Sequence, residues 1–274
     1  MIARKKTWFV VRTAAALFGA AALTAPAMAQ APPDQWQFTG VVYLYLPKIS
    51  GSTTFPSGTT ADVSVDASQL IHNLKFGFMG ALDARKGQWD FFTDLIYADV
   101  KGSKSQTRDL SIGGMTLPVG ITADANLKVK TTLWTLAGGY NFVETPGVTF
   151  GLFGGARELV LSQTLGYQFS AEVGPFIGPL RQGESNINLN NWDGILGAKG
   201  RFTFGEKREW FVPYYVDVGT GQSKYTWQTY AGLGYSFSWG ELVGVWRYID
   251  YAFKSSSNAT FKMNGPAIGA AFHW

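Results

Sequence analysis

From Gln35 onward the chain alternates large apolar residues with small or polar ones, in segments of about the length a tilted strand needs to cross a hydrocarbon core, roughly 9–11 residues. Ten such segments can be read: 36–47 (WQFTGVVYLYLP), 75–85, 88–100, 131–142, 147–160, 191–204, 208–219, 224–237 (KYTWQTYAGLGYSF), 241–253 (ELVGVWRYIDYAF) and 264–274 (NGPAIGAAFHW). A period of two means one face of each segment is apolar. On 224–237 that face holds Trp227, Ala231, Leu233, Tyr235 and Phe237. On 191–204 it holds Trp192, Leu196, Ala198, Phe202 and Phe204.

The connectors alternate in length as regularly as the residues do. KG, VETP, GEK and SWG are tight, whereas 48–74, 101–130 and 161–190 are long. Counted from the first segment, every tight turn falls on one side and every long loop on the other. That asymmetry, with an even strand count, predicts an all-β, antiparallel up-and-down transmembrane barrel. Its turns are periplasmic and its long loops extracellular. The expected number is ten, with eight and twelve as the neighbouring even counts. Trp36, Trp89, Trp210, Trp239 and Trp274 fall at the tight-turn ends, and Tyr97, Tyr225 and Trp227 toward the loop ends. Two aromatic girdles at the two interfaces are expected from that clustering.

The start of the chain sets the compartment. A basic MIARKK precedes a mostly apolar stretch that ends in Ala27-Met28-Ala29. This predicts a secretory signal peptide over 1–29, cleaved before Gln30, and a barrel over 30–274. The chain has 23 basic and 19 acidic residues. Four of the basic ones, Arg4, Lys5, Lys6 and Arg12, lie in the leader, so the barrel is balanced and offers no basic excess for nucleic acid. There is no cysteine, and only 15% of residues are charged. That is well below the usual quarter.

The opposite phase of the alternation carries the charges: Asp83, Arg85, Asp90, Asp94, Arg157, Asp193, Lys199, Arg201, Asp217, Glu241 and Arg247. Mixed signs from many strands, inside a barrel barely wider than one that its own side chains fill, predict a lumen charge network paired against the cost of burial. Asp99, Glu158 and Asp250 come out on the lipid phase but about ten residues up their strands. At the outer rim a charge costs only about 0–1 kcal/mol. Lys128 and Lys130 share that phase and must lie above the membrane.

Catalytic chemistry finds little support in the sequence. Barrel proteases of the omptin type carry an Asp–His pair and further acids at the outer mouth. Acyltransferase and deacylase barrels need a His beside a Ser or Asp. Here the histidines are His72, in the first long loop, and His273, at the inner mouth. Ser68 stands four residues before His72, which alone is a weak pair. The expectation is no enzyme, no cofactor and no metal site. In the same loop, VDASQLIHNL (65–74) has Asp66 three residues before Gln69, a capping signal for a short helix with Leu70, Ile71 and Leu74 on one face. STTFPSGTTADVSV before it alternates as an extracellular hairpin would.

The alternating strands, GARE, WRYIDYAF and the terminal AFHW resemble small Gram-negative outer-membrane barrels of the porin-like or outer-membrane-protein-W type. The resemblance spans the mature chain. It implies a place in the outer membrane, with lipids and the barrel-assembly machinery as partners, and an assembly signal at Phe272 and Trp274. Members of the W type have eight strands and a hydrophobic lumen, which ten strands and a charged interior do not match. The expected role is a structural or surface barrel with a narrow mixed-charge lumen. The first alternative is a narrow porin-like channel for small polar solutes, and the second is an outer-membrane enzyme.

Overall fold

A computed structural model describes residues 35–54, 60–68, 72, 74–106, 121–173, 176–254 and 259–274. The leader expected over 1–29 lies outside them, as do Gln69, Leu70, Ile71 and Asn73 of the expected loop helix. Ala67, Ser68 and His72 are helical.

The strands are β1 (Gln37–Tyr45), β2 (Lys48–Thr54), β3 (Thr60–Val65), β4 (Leu74–Lys86), β5 (Trp89–Gln106), β6 (Ile121–Glu144), β7 (Val148–Val173), β8 (Phe176–Phe204), β9 (Trp210–Gly221), β10 (Ser223–Ser236), β11 (Glu241–Phe253) and β12 (Thr260–His273). All pairs are antiparallel. The ring runs β1, then β4 through β12, and closes where Thr39–Tyr45 pair with Ala267–His273. It is a closed ten-stranded barrel, and the β1–β4 seam is paired from Gln37↔Arg85 up to Val42↔Gly80.

β1 and β2 are two halves of one ring position. Both pair with β12, β2 through Lys48–Ser52 against Thr260–Asn264. They part at Leu46-Pro47, where proline has no N–H for the ladder. β3 pairs with β2 alone, as a hairpin beyond the ring.

The turns joining β4 to β5, β6 to β7, β8 to β9 and β10 to β11 all lie at one end, with the start of β1 and the end of β12. Gly87 has φ 58 and Gly205 has φ 95 in two of them, a region open to glycine at no steric cost. At the other end β5 to β8 run far past their neighbours. β8 has 29 residues, against 12 in β9. The segments 101–130 and 161–190, expected as long loops, are therefore mostly strand. The ladder continues to Gln106↔Ala123 and to Val173↔Phe176. By the general rule for outer-membrane barrels, the tight ends are assigned to the periplasm and the extended strands to the outside.

The outer wall is apolar. Leu196, Ile268, Val218 and Val42 are all at least 60% exposed. For a soluble protein that much exposed apolar surface would be a liability, whereas in lipid it is the favoured contact. Around the periplasmic end runs an aromatic arc. Trp210 meets Tyr235, Tyr235 meets Phe237, Phe237 stacks on Trp239, Trp239 meets Phe272, and Trp36, Phe38 and Trp274 stack in turn. Trp89 joins Tyr140 and Phe142 farther round. The outer rim has Trp134 against Trp192, with Glu158 registered between them, and Trp227 stacked on Tyr248. Two of the three rim acids are matched there. Asp99 lies 4.0 Å from Lys130, and Asp250 lies 3.4 Å from Lys262 and accepts a bond from the Tyr248 hydroxyl.

Candidate functional site: a sealed lumen above a periplasmic cavity

Strand alternation points the second face of every strand into one lumen, and the charged positions meet there because each must find a partner. At the periplasmic mouth Arg201 donates to Glu241 at 2.9 Å. Glu241 also accepts from the Ser236 hydroxyl and lies 3.5 Å from His273 Nε2. His273 Nδ1 shares a 2.9 Å hydrogen bond with the Thr39 hydroxyl. That links hydroxyl, imidazole and carboxylate across the seam where β12 closes on β1. Arg85 pairs with Glu144 at the same end.

Higher up, Lys199 sits between Asp83 at 2.7 Å and Asp90 at 2.5 Å, with its ammonium 3.9 Å from the centre of the Phe92 ring. Next comes Arg247. It donates to Asp94 at 2.5 Å, to the Tyr43 hydroxyl at 2.9 Å and to Gln228 at 3.1 Å, and Tyr43 in turn donates to Asp94. Arg157 makes a two-toothed contact with Asp217 and also donates to Thr135 and Tyr215. Asp193 accepts from Asn191 and from the Ser223 backbone N–H. All eleven charges of the sequence reading lie inside, and each has a partner.

The upper lumen was not foreseen. Tyr45, Met79, Ile96, Leu133, Leu159, Leu161, Ile249, Tyr251, Phe261 and Met263 form one buried cluster across the barrel. Tyr45, Ile96, Leu159, Ile249 and Tyr251 have no exposed surface at all. The cluster is tied to the ion-pair layer below it, because the Tyr45 hydroxyl donates to the Arg247 carbonyl at 3.0 Å. Strand phase could have placed Tyr43 and Tyr45 inside, since both share the inward phase of Thr39.

Beneath this seal lies a cavity of about 360 Å³. One wall is aromatic: Phe92, Tyr215 and Tyr230, with Tyr215 and Tyr230 stacked 5.0 Å apart. The other is small and aliphatic, with Val41, Val243, Val245, Gly269 and Ala271. Accessibility falls with height. The Asp83 and Arg201 side chains are 34% and 32% exposed, while Arg157 and Asp217 are at 0%. The cavity is thus most exposed toward the tight-turn end, and the buried apolar cluster lies over its other end.

No protein-family model matches the chain, and no curated protein matches it. Solved structures do. The fold is similar to that of the outer membrane protease OmpT from Escherichia coli, at TM-score 0.50 and 12% identity, over 92% of this chain and 99% of that one. Weaker likeness extends to the translocator domain of the autotransporter NalP from Neisseria meningitidis, at TM-score 0.42 and 12% identity, over 89% and 90% of the two chains. It extends also to Ail, the attachment invasion locus protein of Yersinia pestis, at TM-score 0.25 and 10% identity, over 88% and 99%. At these identities the likeness shows the fold alone. With the apolar outer wall it makes the chain an integral β-barrel protein of the Gram-negative outer membrane.

One expectation is overturned. The sequence reading expected no enzyme and kept one only as its second alternative, but a solved structure that shares this barrel is an outer membrane protease. A fold that carries an enzyme cannot be used to exclude one. The expectation also rested on an outer mouth where many side chains, those of 165–173 and 176–187 among them, lie outside the described residues.

Proposed function

We propose that this protein is an outer-membrane barrel with a closed, non-conducting lumen, which acts through its extended extracellular strands rather than as a pore. One observation carries this reading: the apolar cluster above the ion pairs, whose central side chains have no exposed surface. An ion would have to shed its hydration to pass such a layer, at a cost of many kcal/mol in a medium of low dielectric. A second reading, a narrow channel for small polar solutes, draws on the cavity and its charged lining. It needs the upper seal to open.

Planar-bilayer recording separates the two. The wild-type barrel should show no steady conductance, while Tyr45→Ala combined with Tyr251→Ala should admit small, noisy currents. Discrete wild-type steps that shift in Arg247→Ala or Asp94→Ala would establish the channel and end the closed-lumen reading.

A further inference from the structure

On the outward face, just above the aromatic rim, Lys101 of β5 stands directly opposite Lys128 of β6 in the antiparallel register. Like charges placed opposite each other destabilise a sheet. Both side chains are exposed, and neither has a hydrogen-bonding or ionic partner among the described residues. Lys130 is two positions below Lys128 on the same face, 59% exposed and only 4.0 Å from its single acid, Asp99. The polar face continues on the next two strands. Ser162 and Thr164 register with Lys130 and Lys128, and Asn188 registers with Ser162.

Below the lysines the wall turns lipophilic. Trp134 lies four residues down β6 from Lys130 and packs edge-on against Trp192. Four residues at about 3.3 Å each, tilted about 40°, put Lys130 roughly 10 Å above that ring. Lysine side chains can reach down from there to the headgroup level. Across the barrel the matching position is neutral, because Lys262 is paired with Asp250. On β5 and β6, by contrast, three outward lysines face one described acid, Asp99.

We propose that Lys101, Lys128 and Lys130 bind the phosphates of a phosphorylated glycolipid in the outer leaflet. Its acyl chains lie along the apolar wall beside Trp134 and Trp192, and its sugars lie against Ser162, Thr164 and Asn188. The like-charged cross-strand pair is then the trace of an anion that sits between the two ammonium groups in the membrane.

The test compares wild type with the triple variant Lys101→Gln, Lys128→Gln, Lys130→Gln, and with the single variant Lys128→Gln should the triple fail to fold. Each is refolded into phosphatidylcholine vesicles, either plain or doped with a bis-phosphorylated diglucosamine lipid or its dephosphorylated form. Heat-modifiable gel mobility confirms folding, and the thermal midpoint is the readout. The phosphorylated lipid should raise the wild-type midpoint by several degrees, and loss of the lysines should remove most of that rise. In plain vesicles the variant should melt no lower than wild type, since a repulsion has been removed. An equal rise in variant and wild type would overturn the site, as would an equal rise with the dephosphorylated lipid. A lysine-dependent rise of the same size with inorganic phosphate in plain vesicles would make it a free-anion site and overturn the lipid assignment.

Discussion

The buried pair Arg157–Asp217 offers the sharpest test of how the lumen is held. Both side chains are 0% exposed, and one of their two contacts measures 3.0 Å. At that separation and an effective dielectric of about 20, the attraction is about 5 kcal/mol. Most of it offsets the cost of taking two charges out of water, so the pair as a whole contributes far less. Removal of one partner exposes the full imbalance. Arg157→Met leaves Asp217 as a bare carboxylate beneath the apolar layer and should cost about 3–5 kcal/mol. With a urea slope of about 2 kcal/mol per molar, the unfolding midpoint should fall by about 2 M. Asp217→Leu should cost a similar amount. The double variant should lie within about 2 kcal/mol of wild type, because an apolar pair replaces the ionic one. Tryptophan fluorescence during urea unfolding in vesicles supplies the four corners of the cycle. If the two single losses simply add in the double variant, the residues are not coupled and the reasoning fails.

Other outcomes follow from packing and closure. A Cβ at Gly234 would collide with the Phe211 ring, whereas one at Gly244 meets nothing within 4 Å. Gly234→Val should therefore cost about 1–3 kcal/mol by overpacking, and Gly244→Ala should leave the urea midpoint within error of wild type. Deletion of Trp274 removes the two backbone bonds it shares with Phe38, at 2.9 and 3.0 Å, and its ring stack on Phe38. At about 0.5–1.5 kcal/mol per bond, the loosened seam should lower the folded fraction on heat-modifiable gels more than Phe272→Ala does. Protease added to intact cells should cut between β5 and β6 and spare the turns at 87–88 and 205–209. Those turns should become sensitive only after the outer membrane is permeabilised, and the reverse pattern would invert the topology.

The parts of the barrel that show in the sequence are those where its two faces differ. Through 224–237 one face is apolar and the other polar, so both the strand and its phase can be read. The signal fades in two opposite ways. Above the membrane no lipid demands apolar residues on the outward phase, so that phase holds Thr122, Asp124, Asn126 and Lys128 on β6 and Asn186 and Asn188 on β8, although the other phase stays apolar. Ladder hydrogen bonds persist where the lipid-facing apolar residues do not, and segments read as loops are strand. In much of the upper lumen both faces are apolar. Leu159 and Leu161 flank Val160, and Ile96 lies between Leu95 and Tyr97. A period of two is masked where successive positions are apolar, so the seal stayed hidden while the charged layer beneath it stood out. Catalysis was misjudged for a different reason. A count of histidines says nothing about what a barrel's outer mouth can be built to do.

The ion pairs have a mechanical consequence that the strand ladder cannot supply. Ladder bonds join neighbours only, and a ring of ten strands linked solely in that way can flatten. Lys199 on β8 reaches Asp83 on β4, four places round the ring, and Arg247 on β11 reaches Asp94 on β5, also four places away. Arg201 on β8 reaches Glu241 on β11, three places away. Each contact spans the lumen as a strut, and together they cross it in different directions. Glycine makes room for them. Gly197, on the inward phase between Lys199 and Ile195, leaves space where a Cβ would strike Phe153 and Asp217. Burial of such pairs adds little net stability, but any register slip would strand a charge in the lumen at several kcal/mol. The charged layer therefore fixes strand register and cross-section. In the closed-lumen reading the apolar layer above it keeps water and ions out, so that the two tasks fall to different residues at different heights.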